Sequence, residues 1–258
     1  MTDFKAVVFD WAGTLVDFGS IAPVEGFRRA FGQFGVDATP AETRGPMGLG
    51  KHDHIRQMLA MPRLSAQWLA ANGGRAPSDN DVERIYQQFE EQIVDAVADR
   101  ATPIPGAAET LAALRARGIK IGSTTGYPRA IMNRLHPVAS RHGVDPDAIV
   151  CVDEVPEGRP APFAMYKCFI ELGVYPPSSV VKVDDTAPGI AEGLAAGCRT
   201  IGIALSGNEV GLSEEDIAVA DPGVVSKAAE KARDKLSAAG ADIVIDTVAE
   251  LPEALARL

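Results

Sequence analysis

Short apolar, largely β-branched runs recur along this chain with helix-period stretches between them. That alternation restricts the fold more than any other feature. The runs are 6–10, 119–125, 148–152, 180–185, 199–204 and 243–246, and the helical stretches between them are 107–117, 129–141, 162–172, 188–196 and 224–239. A strand that returns through a helix pairs in parallel with the strand it left, so the pattern predicts a parallel sheet covered by helices on both faces. Gly118, Gly143, Gly173, Gly197 and Gly240 each follow one of these helical stretches, the position where a helix C-terminus favours glycine. The expected fold class is α/β, a doubly wound, Rossmann-like core.

One region departs from the rhythm. Between residues 19 and 104 no strand pattern is evident, and helical periods run over 24–34, 51–60, 66–71 and 79–98. The interruptions are Gly45-Pro46-Met47-Gly48-Leu49-Gly50 and the polar turn from Asn72 to Pro77. The expectation is an all-helical domain over 19–104 inserted into a core made of 1–18 and 105–258, with hinges near residues 18–22 and 100–105. With 258 residues, 46% of them apolar, there is material for a core of this size.

Composition excludes several function classes. No apolar run approaches the ~18 residues of a membrane span. The start of the chain, with Asp3, Lys5 and Asp10 running into a strand, lacks the pattern of a secretory leader. Cys151, Cys168 and Cys198 are odd in number and not in metal-ligand spacing, so they are expected to be buried thiols in a reducing, cytoplasmic setting. A net charge of −10 argues against a general nucleic-acid binder. A small anionic substrate fits only where a metal and local basic groups offset that field.

The chemistry-bearing residues fall at strand ends. Val7-Val8-Phe9-Asp10-Trp11-Ala12-Gly13-Thr14 puts Asp10 at the carboxyl end of the first strand, the edge where open α/β sheets gather ligands. A carboxylate there either binds a cation or attacks phosphorus to give an aspartyl phosphate. Ser123-Thr124-Thr125-Gly126 ends a second strand with hydroxyls suited to phosphoryl oxygens. Gly158-Arg159-Pro160 supplies a cation shaped for phosphate. Val183-Asp184-Asp185-Thr186 supplies paired carboxylates that suit Mg²⁺. In isolation each has a plain reading as a turn Asp, a Thr-rich strand end, a surface Arg or a helix cap; together, at successive strand ends, they converge on phosphoryl chemistry.

This order of motifs resembles the haloacid dehalogenase superfamily, and the helical insert resembles its first type of cap domain. The resemblance implies that Asp10 is the nucleophile, that Thr124 binds the phosphoryl group and that Arg159 stands where a lysine is usual. It also implies Mg²⁺ held by Asp10, the Ala12 carbonyl and Asp185. Phosphatases of that superfamily carry a second aspartate, the acid for the leaving alcohol, at the position of Ala12. Its loss points either to an inactive protein or to a leaving group that is not an alkoxide.

Met47-Gly48-Leu49-Gly50-Lys51-His52-Asp53-His54 in the insert offers such a leaving group. Lys51 and His54 share a helix face, and a lysine of lowered pKa makes imines with carbonyl compounds. An imine β to phosphorus accepts the electrons of a breaking P–C bond, so no oxygen needs protonation. The Asp10 and Lys51 segments, with Ile121–Tyr127 and Gly158-Arg159-Pro160, resemble the phosphonoacetaldehyde hydrolase family within the superfamily. That resemblance implies Lys51 as the imine lysine, His54 as a proton shuttle, Met47 near the lysine, and a homodimer. Met58, Met61 and Trp68 are candidates for its cap–cap contact. Asp184 departs from the glycine frequent there and is a reserve metal ligand. The alternatives are an ordinary Mg²⁺-dependent phosphatase or phosphomutase, and a non-catalytic phosphate-binding regulator.

Overall fold

A computed structural model describes residues 4–258; residues 1–3 of the expected core segment lie outside it. Strand β1 (Ala6–Phe9) is followed by five helices before the next strand: α1 (Ile21–Gly32), α2 (Pro40–Arg44), α3 (Lys51–Ala60), α4 (Pro62–Ala71) and α5 (Asp79–Asp99). The chain then alternates through α6 (Ala107–Ala116), β2 (Lys120–Thr125), α7 (Arg129–Arg141), β3 (Ala148–Cys151), α8 (Phe163–Leu172), β4 (Val180–Asp184), α9 (Ala187–Ala195) and β5 (Arg199–Ile203). It closes with α10 (Glu214–Val219), α11 (Pro222–Ala238), β6 (Ile243–Ile245) and α12 (Leu251–Leu255). The six strands form one parallel sheet in the order β3-β2-β1-β4-β5-β6, the α/β class that the alternation predicts.

That order matters for the site. From β1 the chain winds outward to β2 and β3 on one side, and β4, β5 and β6 complete the other. The direction reverses beside β1, and a crevice opens there at the carboxyl ends of the strands. Register carries the side chains to it: Phe9 pairs with Ser123 on one side and Val183 on the other. Asp10 therefore emerges between Thr124 and Asp184.

All four residues of β1 are fully buried, as a central parallel strand covered on both faces requires. The apolar cluster on the face of Val7 and Phe9 continues into the helical insert, where Phe27 stacks on Phe89 at 4.2 Å between centroids and Ile55, Met58, Leu64, Trp68 and Ile85 are fully buried. Met58 and Trp68 are thus core residues of one chain and unavailable as a cap–cap contact; Met61 is half-buried. Gly173 caps α8 at φ 62, with Val174 N–H closing back on the Phe169 carbonyl, the left-handed stop its place in sequence suggests. Cys151, Cys168 and Cys198 are buried free thiols. Among the described residues no helix is long and apolar enough to cross a membrane.

Element bounds differ from the sequence pattern at a few ends. α1 begins at Ile21 rather than 24, because Pro23 sits in the first turn where its missing N–H is not needed, and the Asp17 carboxylate accepts from Ala22 N–H at 3.0 Å. α4 likewise begins on Pro62. The short helices α2, α10 and α12 were outside the pattern. Two of them carry capping boxes, Thr39 with Glu42 and Ser213 with Asp216, a signal that periodicity over so few residues does not supply.

Candidate active site

The loop after β1 wraps a carboxylate. Gly13 adopts φ 85, and a Cβ there would overlap the Asp185 carboxylate. Thr14 donates to Asp185 at 3.4 Å and Asn208 N–H donates to its other oxygen at 2.7 Å. Thr14 therefore serves Asp185 rather than a ligand. Trp11 is fully buried, its indole N–H donating to Ser123 at 3.0 Å, so it fills the core beneath the site.

Below Asp10 lies a buried ionic network. Arg159 Nη2 donates to Asp10 at 2.8 Å, Nε donates to Glu192 at 3.0 Å, and Nη1 lies 3.3 Å from Asp184. Lys182, fully buried in the middle of β4, reaches Asp184 at 3.1 Å and Glu192 at 3.2 Å. Thr124 belongs to this network and not to the crevice. Its hydroxyl donates to Glu192 at 2.8 Å and accepts from Lys182 at 2.7 Å. The expectation that Thr124 meets the phosphoryl group is corrected: strand alternation turns its side chain down, while Thr125 and Gly126 line the cavity.

The cavity at the sheet edge is lined by Asp10, Ala12, Met47, Lys51, Thr125, Gly126, Arg159 and Asp185, all expected from sequence, together with Ser20, Pro23, Gly48, Tyr127 and Thr186. The insert thus brings Met47 and Lys51 over the aspartate. Gly48 makes that approach possible at φ 93, where a Cβ would overlap the Thr186 side chain. Lys51, the first residue of α3 and 5% exposed, holds its ammonium 4.8 Å from the Tyr127 ring centroid and 5.4 Å from that of Phe27. His54 is not a lining residue. Its Nε2–H donates to the Thr43 carbonyl at 2.9 Å, its ring stacks on Phe27 at 3.9 Å, and its buried Nδ1 has no partner among the described residues. Tyr127, two residues past the end of β2, is a lining residue that the sequence reading gives no role, and its buried hydroxyl has no partner among the described residues.

Burial sets the protonation states. It pushes Asp10 up to about 6, helped by the Asp184 charge and opposed by Arg159 and Lys182. Asp185 is driven well above the carboxylate range by burial and by the charges of Asp10 and Asp184. Asp184 also suffers burial, but Arg159 and Lys182 outweigh it and hold the group low. Lys51 falls to about 8 through burial, with Arg159 adding to the fall and Asp10 opposing it. Burial and the Lys51 charge hold His54 well below its usual range, hence neutral.

Ligating atoms of Asp10, Asp184 and Asp185 lie within 4.8 Å of one another, all buried. Asp10 and Asp185 are raised by burial and by the charges of neighbouring carboxylates, which a divalent cation would offset, and the all-oxygen donors suit Mg²⁺. Asp184 already pairs with two cations, so Asp10 and Asp185 are the better placed ligands.

This constellation is a known class. The family model of haloacid dehalogenase-like hydrolases matches residues 4–197. The chain is 45% identical over 251 residues to the phosphonoacetaldehyde hydrolase of Paraburkholderia phytofirmans, covering 97% of this chain and 94% of that one. It is 48% identical over 256 residues to that of Vibrio vulnificus, covering 98% and 94%. The crystal structure of a phosphonoacetaldehyde hydrolase-like protein from Oleispira antarctica superposes with a TM-score of 0.96 at 41% identity, covering 99% of this chain and 92% of that one. The chain belongs to the haloacid dehalogenase-like hydrolases and, within them, to the phosphonoacetaldehyde hydrolase family.

The loop carrying Lys51 yields a prediction. Gly48→Ala puts a side chain on a left-handed residue, at ~1–3 kcal/mol of strain, and drives it into Thr186, which caps α9. Steady-state kinetics should show kcat/KM lower by ~10-fold or more, with the melting temperature changed by only a few degrees.

Proposed function

We propose that the protein hydrolyses phosphonoacetaldehyde to acetaldehyde and phosphate, using a Lys51 Schiff base and an Asp10 phosphoryl intermediate. The observation that carries this reading is the shared cavity: a buried amine and a buried aspartate face one small space beside Arg159, and Ala12 leaves no acid for an alcohol leaving group.

Each step follows from a residue's state. Neutral Lys51 adds to the aldehyde and water leaves, giving an imine that takes up a proton to become the iminium. Arg159, Thr125 and the backbone at Gly126 hold the phosphonate. Asp10 attacks phosphorus as the P–C bond breaks, and that electron pair moves into the iminium to give a neutral enamine on Lys51. Water then cleaves the aspartyl phosphate. The enamine takes a proton on carbon, and hydrolysis of the resulting iminium frees acetaldehyde and returns the amine and the proton. Asp10, Asp185 and the Ala12 carbonyl would hold Mg²⁺, which when bound neutralises charge between nucleophile and phosphonate. His54 is assigned the proton relay in imine formation because its buried, neutral ring, close enough to feel the Lys51 charge, keeps a bare Nδ1 among the described residues. Tyr127 walls the amine from water. A homodimer and a cytoplasmic setting belong to the same reading.

The lowered Lys51 pKa has a kinetic consequence. At neutral pH about one tenth of the amine is free, against less than a thousandth for an ordinary lysine of ~10.4. The test is phosphate release from phosphonoacetaldehyde with Mg²⁺, coupled to reduction of the aldehyde product. kcat/KM should climb with pH through about 8, as Lys51 loses its proton. Phosphate release from sugar phosphates that survives Lys51→Ala would overturn the reading in favour of an ordinary phosphatase.

A further inference from the structure

Arg44 ends α2 in the helical insert, yet its side chain reaches into a pocket formed by the link at residues 19–20 and the core loop 208–211. Nη1 donates to the Gly19 carbonyl at 2.7 Å, to Ser20 at 3.3 Å and to Asn208 Oδ1 at 3.2 Å, and Nη2 donates to the Gly211 carbonyl at 3.1 Å. Asn208 returns a hydrogen bond from Nδ2 to the Arg44 carbonyl at 3.2 Å. Gly211 is part of the fit, since a Cβ there, at φ 67, would overlap the guanidinium. Among the described residues no carboxylate forms an ion pair with Arg44, and the charge is met by carbonyl dipoles with Asp17, Asp185 and Glu209 farther off. A guanidinium fits this arrangement because its fixed fork of donors reaches several acceptors at once, which an ammonium does not.

Three segments meet on this side chain: the link after β1 at residues 19–20, the loop 208–211, and the insert. Each leads to the site. The chain runs from Arg44 directly into the loop bearing Met47 and on to Lys51. Asn208 N–H donates to Asp185 at 2.7 Å, a shorter contact than the one from Thr14. We infer that Arg44 is a positioning residue, clamping the insert to the core so that Lys51 and Asp185 face one substrate in one geometry. The inference rests on the proposed pairing of Lys51 with the core aspartates.

The readout is Lys51 itself. Its amine faces Asp10, Arg159, His54 and the rings of Tyr127, Phe27 and Phe89, so its titration reports whether the insert is seated. Unseating returns the amine to water. Burial is the largest cause of its fall, so the midpoint moves up. Competitive acetylation by acetic anhydride across pH, with the Lys51 peptide quantified by mass spectrometry, measures that midpoint without substrate. In Arg44→Ala it should rise from about 8 toward the ordinary ~10.4, with kcat/KM falling ~10²-fold, the usual scale for a displaced catalytic group. Arg44→Lys should fall between the two.

Gly211→Ala leaves Arg44 in the chain but fills its seat, and should reproduce the shift if Arg44→Ala fails to fold. A folded Arg44→Ala or Gly211→Ala protein with an unmoved Lys51 midpoint overturns the clamp. Because the reagent reads the amine directly, that result stands apart from any failure to cleave phosphonoacetaldehyde.

Discussion

Asp10→Asn should remove phosphate release almost completely, by on the order of 10⁴-fold or more, while leaving the fold intact. The amide has nearly the same shape and still offers Arg159 Nη2 an oxygen at the 2.8 Å contact. It cannot attack phosphorus. Removing this charge also relieves Asp185, which is raised partly by Asp10, so the melting temperature without metal should stay level or rise. The imine step does not involve Asp10 chemically. Borohydride added with phosphonoacetaldehyde should therefore still attach the substrate's carbon skeleton to Lys51 in the variant. Trapping with no phosphate release separates the two half-reactions. Turnover within ~10-fold of wild type would remove Asp10 from the role of nucleophile.

The sheet was legible because parallel strands buried on both faces read as unbroken apolar runs, and each left-handed helix stop needed glycine. Asp10, Arg159 and Asp185 were legible because chemistry collects at strand ends. What the sequence hides is the direction of a side chain within one strand. Thr124 and Thr125 are adjacent and chemically alike, but one faces the ionic network and the other the cavity, and only register decides. Lys182 illustrates a signal left unread. A lysine inside the run Val180-Val181-Lys182-Val183 cannot be buried without opposite charge nearby, and Glu192 and Asp184 supply it. Met58 and Trp68 misled for the opposite reason. An inserted helical unit needs apolar residues of its own, and those residues face inward before any partner is considered.

Lys51→Arg is the sharper companion test, since it keeps the charge and nearly the length while removing the chemistry. Arginine stays protonated at any working pH and forms no productive imine with an aldehyde. The P–C electron pair then moves into the unconverted carbonyl: an enolate must leave in place of a neutral enamine, and no residue at position 12 can protonate its oxygen. Turnover should fall by on the order of 10⁴-fold or more. Borohydride trapping at position 51 should vanish, and inorganic phosphate should bind within a few-fold of wild type because Arg159 is untouched. The cost in stability should be small, for the site already holds a cation against the rings of Tyr127, Phe27 and Phe89, where a guanidinium also stacks. A Lys51→Arg protein that still cleaves phosphonoacetaldehyde at near wild-type rates would mean that carbon leaves phosphorus without a nitrogen electron sink. The placement of the insert's lysine over the aspartate would then need another explanation.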